Sequence, residues 1–201
     1  MIAIIDYDAG NIKSVEKAFE FLGVDTITTR DADVILNADK VILPGVGAFG
    51  DAMSKLNEYG LVEVIHKVVE RGIPLLGICL GLQLLFESSE ESEGVSGLGI
   101  LKGHILKFSE NTELKIPQIG WNSLEISENS RLFKGIPNQS YVYFVHSYYL
   151  KAEDSKVVAA TCEYANHFDA AVEWDNVYAC QFHPEKSSEI GLKILQNFAS
   201  L

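Results

Sequence analysis

Apolar residues recur along this chain at two spacings, and the alternation between them predicts most of its elements. Ile2-Ala-Ile-Ile-Asp6 is a continuous apolar run, as expected of a strand covered on both faces. After the turn Tyr7-Asp-Ala-Gly-Asn11, the residues Ile12, Val15, Ala18, Phe19 and Leu22 fall on one helical stripe, which Gly23 caps. Strands are expected over 24–29 and 41–44, the latter cut short by Pro44. Helices follow over 52–56 and 61–70; the second turns Leu61, Val64, Ile65, Val68 and Val69 inward and leaves His66 facing solvent. Ile73-Pro-Leu-Leu begins a short buried strand, and Leu80, Leu82, Leu84, Leu85 and Phe86 return to helical spacing directly after it.

From His104 the texture changes to short strands separated by turn signals, over 104–108, 122–126, 141–145, 157–162, 170–174 and 177–182. A closing helix over 188–199 packs Ile190, Ile194, Leu195 and Phe198 inward. The alternation predicts an α/β fold: a mainly parallel central sheet flanked by helices on both faces, with antiparallel strands added in the C-terminal half. No linker, composition break or repeat divides residues 1–201, so a single domain is expected.

Charge and cysteine usage narrow the function classes. Sixteen basic residues against 28 acidic give a net charge of −12, which disfavours non-specific binding to nucleic acid or anionic membranes. Cys79, Cys162 and Cys180 have no metal-ligand spacing, which predicts a reduced, cytoplasmic protein with no metal and no cofactor. The N-terminus lacks the pattern of a secretory signal, and no apolar run reaches the length of a membrane span.

The candidate chemistry begins at Gly77-Ile-Cys-Leu-Gly81, a Gly-x-Cys-x-Gly turn between strand and helix. A nucleophile on such a turn has a strained backbone, and flanking glycines let neighbouring elements pass close. The helix after it presents its N-terminus to Cys79, which favours the thiolate and offers the Leu80 amide to a developing oxyanion. A buried core cysteine is the plainer alternative. Pro44-Gly-Val-Gly-Ala-Phe-Gly50 lacks the spacing of a nucleotide-binding loop. It places flexible backbone at a strand's carboxyl end, where open α/β sheets bind ligands, so the Val46 and Gly47 amides are further oxyanion candidates. The alternative there is a mere loop before the next helix. The acidic, Gly/Ser-rich run 88–99 reads as a solvated surface loop, one carboxylate of which is able to meet a substrate ammonium.

In Gln181-Phe-His-Pro-Glu185, His183 and Glu185 stand two apart, on one side of an extended backbone stiffened by Pro184. A carboxylate beside an imidazole orients the ring and favours its protonated form, the third-member role in a catalytic triad. A surface turn is the alternative. His167 and Asp169 form a rival pair in what reads as a hairpin loop. His146 has no carboxylate nearby and reads as core or pocket wall, His104 belongs to no motif, and Cys162 and Cys180 read as structural.

Together, Gly77-Ile-Cys-Leu-Gly-Leu-Gln83 and Gln181-Phe-His-Pro-Glu185 resemble the triad-type (class I) glutamine amidotransferases. Pro44-Gly-Val-Gly-Ala-Phe49, Pro117-Gln-Ile-Gly-Trp-Asn122, Tyr143-Phe-Val-His-Ser-Tyr148, Tyr7-Asp-Ala-Gly-Asn11 and His183-Pro-Glu-Lys-Ser187 are similar to the glutaminase subunits of imidazole glycerol phosphate synthase. The resemblance runs from the first strand to the last helix. It implies Cys79 as nucleophile, His183 as proton shuttle, Glu185 as its support, and Pro44 to Gly47 as a mobile oxyanion segment. It also implies that Gln83, Glu91, Ser147 and Tyr148 hold glutamine, and that Trp121, Asn122, Tyr143 and Lys186 meet a (β/α)₈-barrel cyclase that receives ammonia. Leu82 departs from a frequent methionine and Cys180 from a common small residue. The competing classes are another enzyme of similar architecture, such as a cysteine hydrolase or an amidotransferase subunit for a different pathway, and a catalytically silent binding subunit. The Gly120-Trp-Asn122 and Tyr143-to-Tyr148 pair argues against the first, and an intact Cys79, His183 and Glu185 against the second.

Overall fold

The apolar runs become buried strands, and the helical stripes pack against them. The computed structural model describes residues 1–8, 11–109 and 114–201, so Ala9 and Gly10 of the first turn lie outside the described residues. In chain order, the N-terminal half comprises β1 (Ile2–Ile5), α1 (Ile12–Phe21), β2 (Thr26–Thr29), α2 (Ala32–Leu36), β3 (Lys40–Gly45), α3 (Phe49–Glu58), α4 (Leu61–Glu70), β4 (Leu75–Cys79) and α5 (Leu80–Leu84). Then come β5 (Ser88–Ser89), β6 (Gly103–Lys107), β7 (Gln118–Ser123), β8 (Glu125–Ile126), β9 (Tyr141–His146) and β10 (Tyr148–Ala152). The chain closes with β11 (Val158–Tyr164), β12 (Asn166–Trp174), β13 (Val177–Cys180) and α6 (Ser188–Ala199).

The main sheet runs β2-β1-β3-β4-β13-β12-β10-β6-β5, with β11 and β8 continuing from β12. Strands β2, β1, β3, β4 and β13 are mutually parallel, and β13 then pairs antiparallel with β12. A separate antiparallel ribbon joins β7 to β9. Successive residues of one strand serve opposite cores, which is why the first run is apolar throughout. Ala3 and Ile5 join Phe49, Leu56, Leu61 and Ile65 on the α3–α4 side. Ile2 and Ile4 join Val15, Phe19, Ile194 and Phe198 on the α1–α6 side.

Several expectations shift. The helix expected over 52–56 extends to Phe49–Glu58, because Phe49 joins Ala52, Met53 and Leu56 on one buried stripe. Helix α2 went unpredicted, although Asp31 is a plain N-cap whose carboxylate accepts from Asp33 N and Val34 N. The run 88–99 is not simply a solvated loop. Its first residues form β5 with Ser89 buried, Glu90 Oε2 accepts from Lys107 N, and Ser92 Oγ from Gly50 N. His66 is half-buried rather than solvent-facing. Among the described residues no helix is long and apolar enough to cross a membrane.

Candidate active site

Cys79 ends β4, the strand held between β3 and β13. Gly45 pairs with Cys79 on one side, and Cys180 pairs with Ile78 on the other, so the next residue, Gln181, comes beside Cys79. The Cys79 backbone sits at φ 56°, ψ −110°, a conformation that costs a side-chain-bearing residue on the order of 1–3 kcal/mol. The flanking glycines are needed for close approach. A Cβ on Gly81 would lie 1.9 Å from Leu43 O, and one on Gly77 2.8 Å from Gly81 O. Helix α5 is shorter than its sequence pattern predicts, five residues buried on all sides, so its dipole adds little at Cys79.

A cavity of about 320 Å³ opens at the carboxyl ends of these strands. Val46, Gly47, Cys79, Leu80, Gln83, Glu91, Ser147, Tyr148 and His183 line it together. The segment carrying Val46 and Gly47 leaves β3 with Gly47 at φ 98°, a value suited to glycine. Its upstream end is tied by the buried Tyr7 hydroxyl, which donates to Pro44 O at 2.7 Å. Downstream, Glu91 Oε2 accepts from Phe49 N at 2.8 Å. Gln83 Nε2 donates to Gln181 Oε1 at 3.0 Å and points its second N–H toward Tyr148 O at 3.4 Å.

His183 and Glu185 are brought together by a route the sequence did not suggest. The backbone is extended at His183, but Pro184–Lys186 forms a 3₁₀ turn that swings Glu185 back. His183 Nδ1 lies 2.8 Å from Glu185 Oε1, and both side chains are almost wholly buried. Nδ1–H donates to the carboxylate, which leaves the buried Nε2, without a hydrogen bond of its own, toward the cavity. Burial by itself lowers the His183 pKa; the Cys79 and Glu185 side chains outweigh it and raise the value from 6.5 to about 9. The ring therefore carries its proton at neutral pH. With the folded value raised, proton binding at His183 stabilises the fold below pH 6.5, and that contribution is lost as pH climbs through about 9. Glu185→Gln removes one raising influence, so the alkaline limb of any His183-dependent activity moves to lower pH. A pH–rate profile checks this, and an unmoved limb would count against the pairing.

Other residues fall where the sequence left them open or missed them. Gln181 is fully buried between Gln83 and Cys79, with Nε2 3.8 Å from Cys79 Sγ. Its position directly before Phe182-His183 was the available signal. His146 is buried in the cavity wall, with Nδ1 2.7 Å from Tyr148 O and Nε2 2.8 Å from Gln118 Oε1. Burial lowers its pKa to about 4, against a lift from the Tyr148 carbonyl, so the ring is neutral. The rival His167–Asp169 pair is not in a hairpin loop. Both residues belong to β12, where His167 meets Glu163 and Asp169 accepts from Ala152 N, because the turn comes earlier, at Ala165. Burial raises the Cys162 thiol to about 12 and raises Cys180 as well. Trp121 and Tyr143 face one another across β7–β9, ring centres 6.1 Å apart, with Trp121 exposed. Tyr143 O accepts from His183 N, and Tyr143 N donates to Ser187 Oγ. Asn122 Nδ2 donates to Glu163 O, and Lys186 is exposed. Among the described residues, Glu87, His104 and Glu153 bring potential metal-ligand atoms within 4.8 Å of one another, at the far edge of the sheet. Glu87 and His104 already contact Gly103 N and Ser88 Oγ there.

Comparison with known proteins adds an independent line. Residues 3–200 match the glutamine amidotransferase class-I family. The chain is 50% identical, over the full length of both proteins, to imidazole glycerol phosphate synthase subunit HisH of Methanocaldococcus jannaschii. It is 49% identical over 99% of both chains to the subunit of the same name from Chlorobaculum tepidum. Its fold resembles a crystal structure described as a glutamine amidotransferase, with TM-score 0.76 at 20% identity, covering 99% of this chain and all of that one. It also resembles PurLQS from Thermotoga maritima, with TM-score 0.75 at 22% identity, covering 99% and 97%.

Proposed function

The chain belongs to the class-I glutamine amidotransferases, and within them to the HisH subunits of imidazole glycerol phosphate synthase, and from that premise we propose that it hydrolyses glutamine at Cys79 and passes the ammonia to a partner cyclase. The observation that carries this reading is the convergence of a strained Cys79 and a carboxylate-braced His183 on one cavity.

The Cys79 thiolate attacks the side-chain carboxamide carbon of glutamine, and the carbonyl oxygen takes negative charge. Backbone N–H groups of Val46, Gly47 and Leu80 receive that oxygen. His183 gives its Nε2 proton to the leaving nitrogen, ammonia departs, and a glutamyl thioester remains on Cys79. The now neutral His183 then takes a proton from water as the water attacks the thioester, releasing glutamate and restoring the thiolate–imidazolium pair. Gln83, Glu91, Ser147 and Tyr148 hold the amino-acid end of the substrate. The Glu91 bond to Phe49 N places substrate recognition next to the oxyanion segment.

Ammonia released into water becomes ammonium and loses its nucleophilicity, so the product has to reach a second site within protein. Trp121, Asn122, Tyr143 and Lys186 form the docking face for a (β/α)₈-barrel cyclase. That partner uses ammonia to form imidazole glycerol phosphate and aminoimidazole carboxamide ribotide, a step of histidine biosynthesis in the cytoplasm. Tyr143 is one hydrogen bond from the His183 backbone, which gives a docked partner a short mechanical route to the site. Ligand bound to the cyclase shifts the Val46–Gly47 segment toward its competent arrangement. The test is to mix the chain with such a cyclase and follow glutamate release with and without cyclase ligand. Release at least tenfold faster with ligand than from the chain alone is expected. Equal rates from the isolated chain and the ligand-bound complex would overturn the coupling.

A further inference from the structure

Gln181 has no part in the mechanism above, yet its side chain is fully buried against the reacting sulfur. The orientation of its amide follows from its neighbours. Tyr148 O is an acceptor only, so the Gln83 group facing it is the amino nitrogen, and that same nitrogen donates to the Gln181 carboxamide oxygen. The Gln181 oxygen is thereby fixed on Gln83, and its Nε2 is turned toward Cys79 Sγ at 3.8 Å. Strand register supports the same placement, because β13 runs parallel to β4 and sets residue 181 beside residue 79. The Gln181 backbone N–H donates to Ala170 O at 2.8 Å, which keeps the residue from backing away.

We propose that Gln181 is a further catalytic residue, whose amide N–H donates to the Cys79 thiolate and stabilises it before attack. A hydrogen bond to the charged form of a buried acid favours that form, and Cys79 is buried, at 7% exposure. The Gln83–Gln181–Cys79 chain also links a residue proposed to hold the substrate with the nucleophile itself. The inference rests on reading Cys79 as the nucleophile.

The test uses the whole chain with iodoacetamide as probe, an alkylating agent that needs neither glutamine nor an oxyanion site. The rate of Cys79 alkylation, located by peptide mass spectrometry, is followed against pH for the native protein, Gln181→Met and Gln181→Glu. Gln181→Met removes the donor without adding charge; Gln181→Glu keeps the shape and the acceptor for Gln83. The acid-side midpoint is expected to move up by about one pH unit in Gln181→Met, a tenfold loss of thiolate at fixed pH, and further in Gln181→Glu. In the assembled complex, kcat for glutamine falls with it while KM stays within about threefold. An unmoved alkylation profile overturns the proposal, including when stability and kcat fall together, since that is the mark of a packing residue. Should Gln181→Met lose its unfolding transition, Gln181→Leu, which also lacks the donor and adds no charge, decides in its place. If the native protein fails to hydrolyse glutamine but the profiles still shift, the functional reading fails and the thiolate contact stands. If glutamine is hydrolysed and the profiles coincide, only the role of Gln181 fails.

Discussion

Cys79→Ala is expected to lower glutamine hydrolysis by about 10⁴-fold or more while leaving the protein folded. Removing the nucleophile of a triad leaves only the contribution of binding and oxyanion contacts, so the loss approaches that of removing the whole catalytic set. No other thiol is able to stand in. Cys162 and Cys180 are buried, and burial raises both thiols far out of the reactive range. Stability should change little, since alanine tolerates φ 56° about as well as cysteine does and only one buried sulfur is lost. Glutamate release measured beside a thermal unfolding curve checks both halves. Hydrolysis retained at a tenth of the native rate would place the nucleophile elsewhere. A complex carrying this variant should still form cyclase product from added ammonium salt, which separates loss of the glutaminase from loss of docking.

Gly81→Ala should act on the fold itself. The added methyl group would stand 1.9 Å from Leu43 O and 2.9 Å from Leu43 C, and both are backbone atoms of a central strand with no room to turn aside. Overpacking of a flexible side chain costs about 1–3 kcal/mol, and a clash with fixed backbone belongs at or beyond the upper end of that range. Helix α5 has to lift off β3, carrying Leu80 and Gln83 away from the cavity, so activity should fall with stability. Gly47→Ala makes the contrast, because nothing lies within 4 Å of its added Cβ and only the φ of 98° opposes it. Urea unfolding of both variants decides between them. A Gly81→Ala protein with native stability would mean that α5 is not clamped against β3.

Much of this architecture was legible because burial on two faces leaves a plain trace. The runs at Ile2–Ile5 and Leu75–Cys79 are apolar throughout, which suits only central strands of a helix-covered sheet. Parallel and antiparallel pairing in the second half was less legible. The strand before His183 looks like its neighbours in sequence, yet β13 returns to the sheet centre to lie parallel with β4, and the proposed triad depends on that long-range choice. The approach of His183 and Glu185 was anticipated for the wrong geometric reason. Pro184 does not stiffen an extended segment; it opens a 3₁₀ turn, where its missing N–H costs nothing. Run 88–99 reads as solvated because its side chains are polar, and composition does not show that those side chains accept from backbone amides of β6 and α3. Gln181 stayed hidden for a related reason: a glutamine two residues before His183 offers only its position as a signal, and its placement against Cys79 is set by Gln83, 98 residues earlier in the chain.

During turnover the sulfur of Cys79 is expected to become covalently bonded to the glutamyl group. Acid-quenching the assembled complex while it consumes glutamine, followed by mass analysis of this chain's peptides, reveals that bond. A glutamyl thioester on the peptide containing Cys79, absent from the Cys79→Ala protein, is the predicted result. Steady glutamate release with no adduct, or with an adduct on another residue, would contradict it.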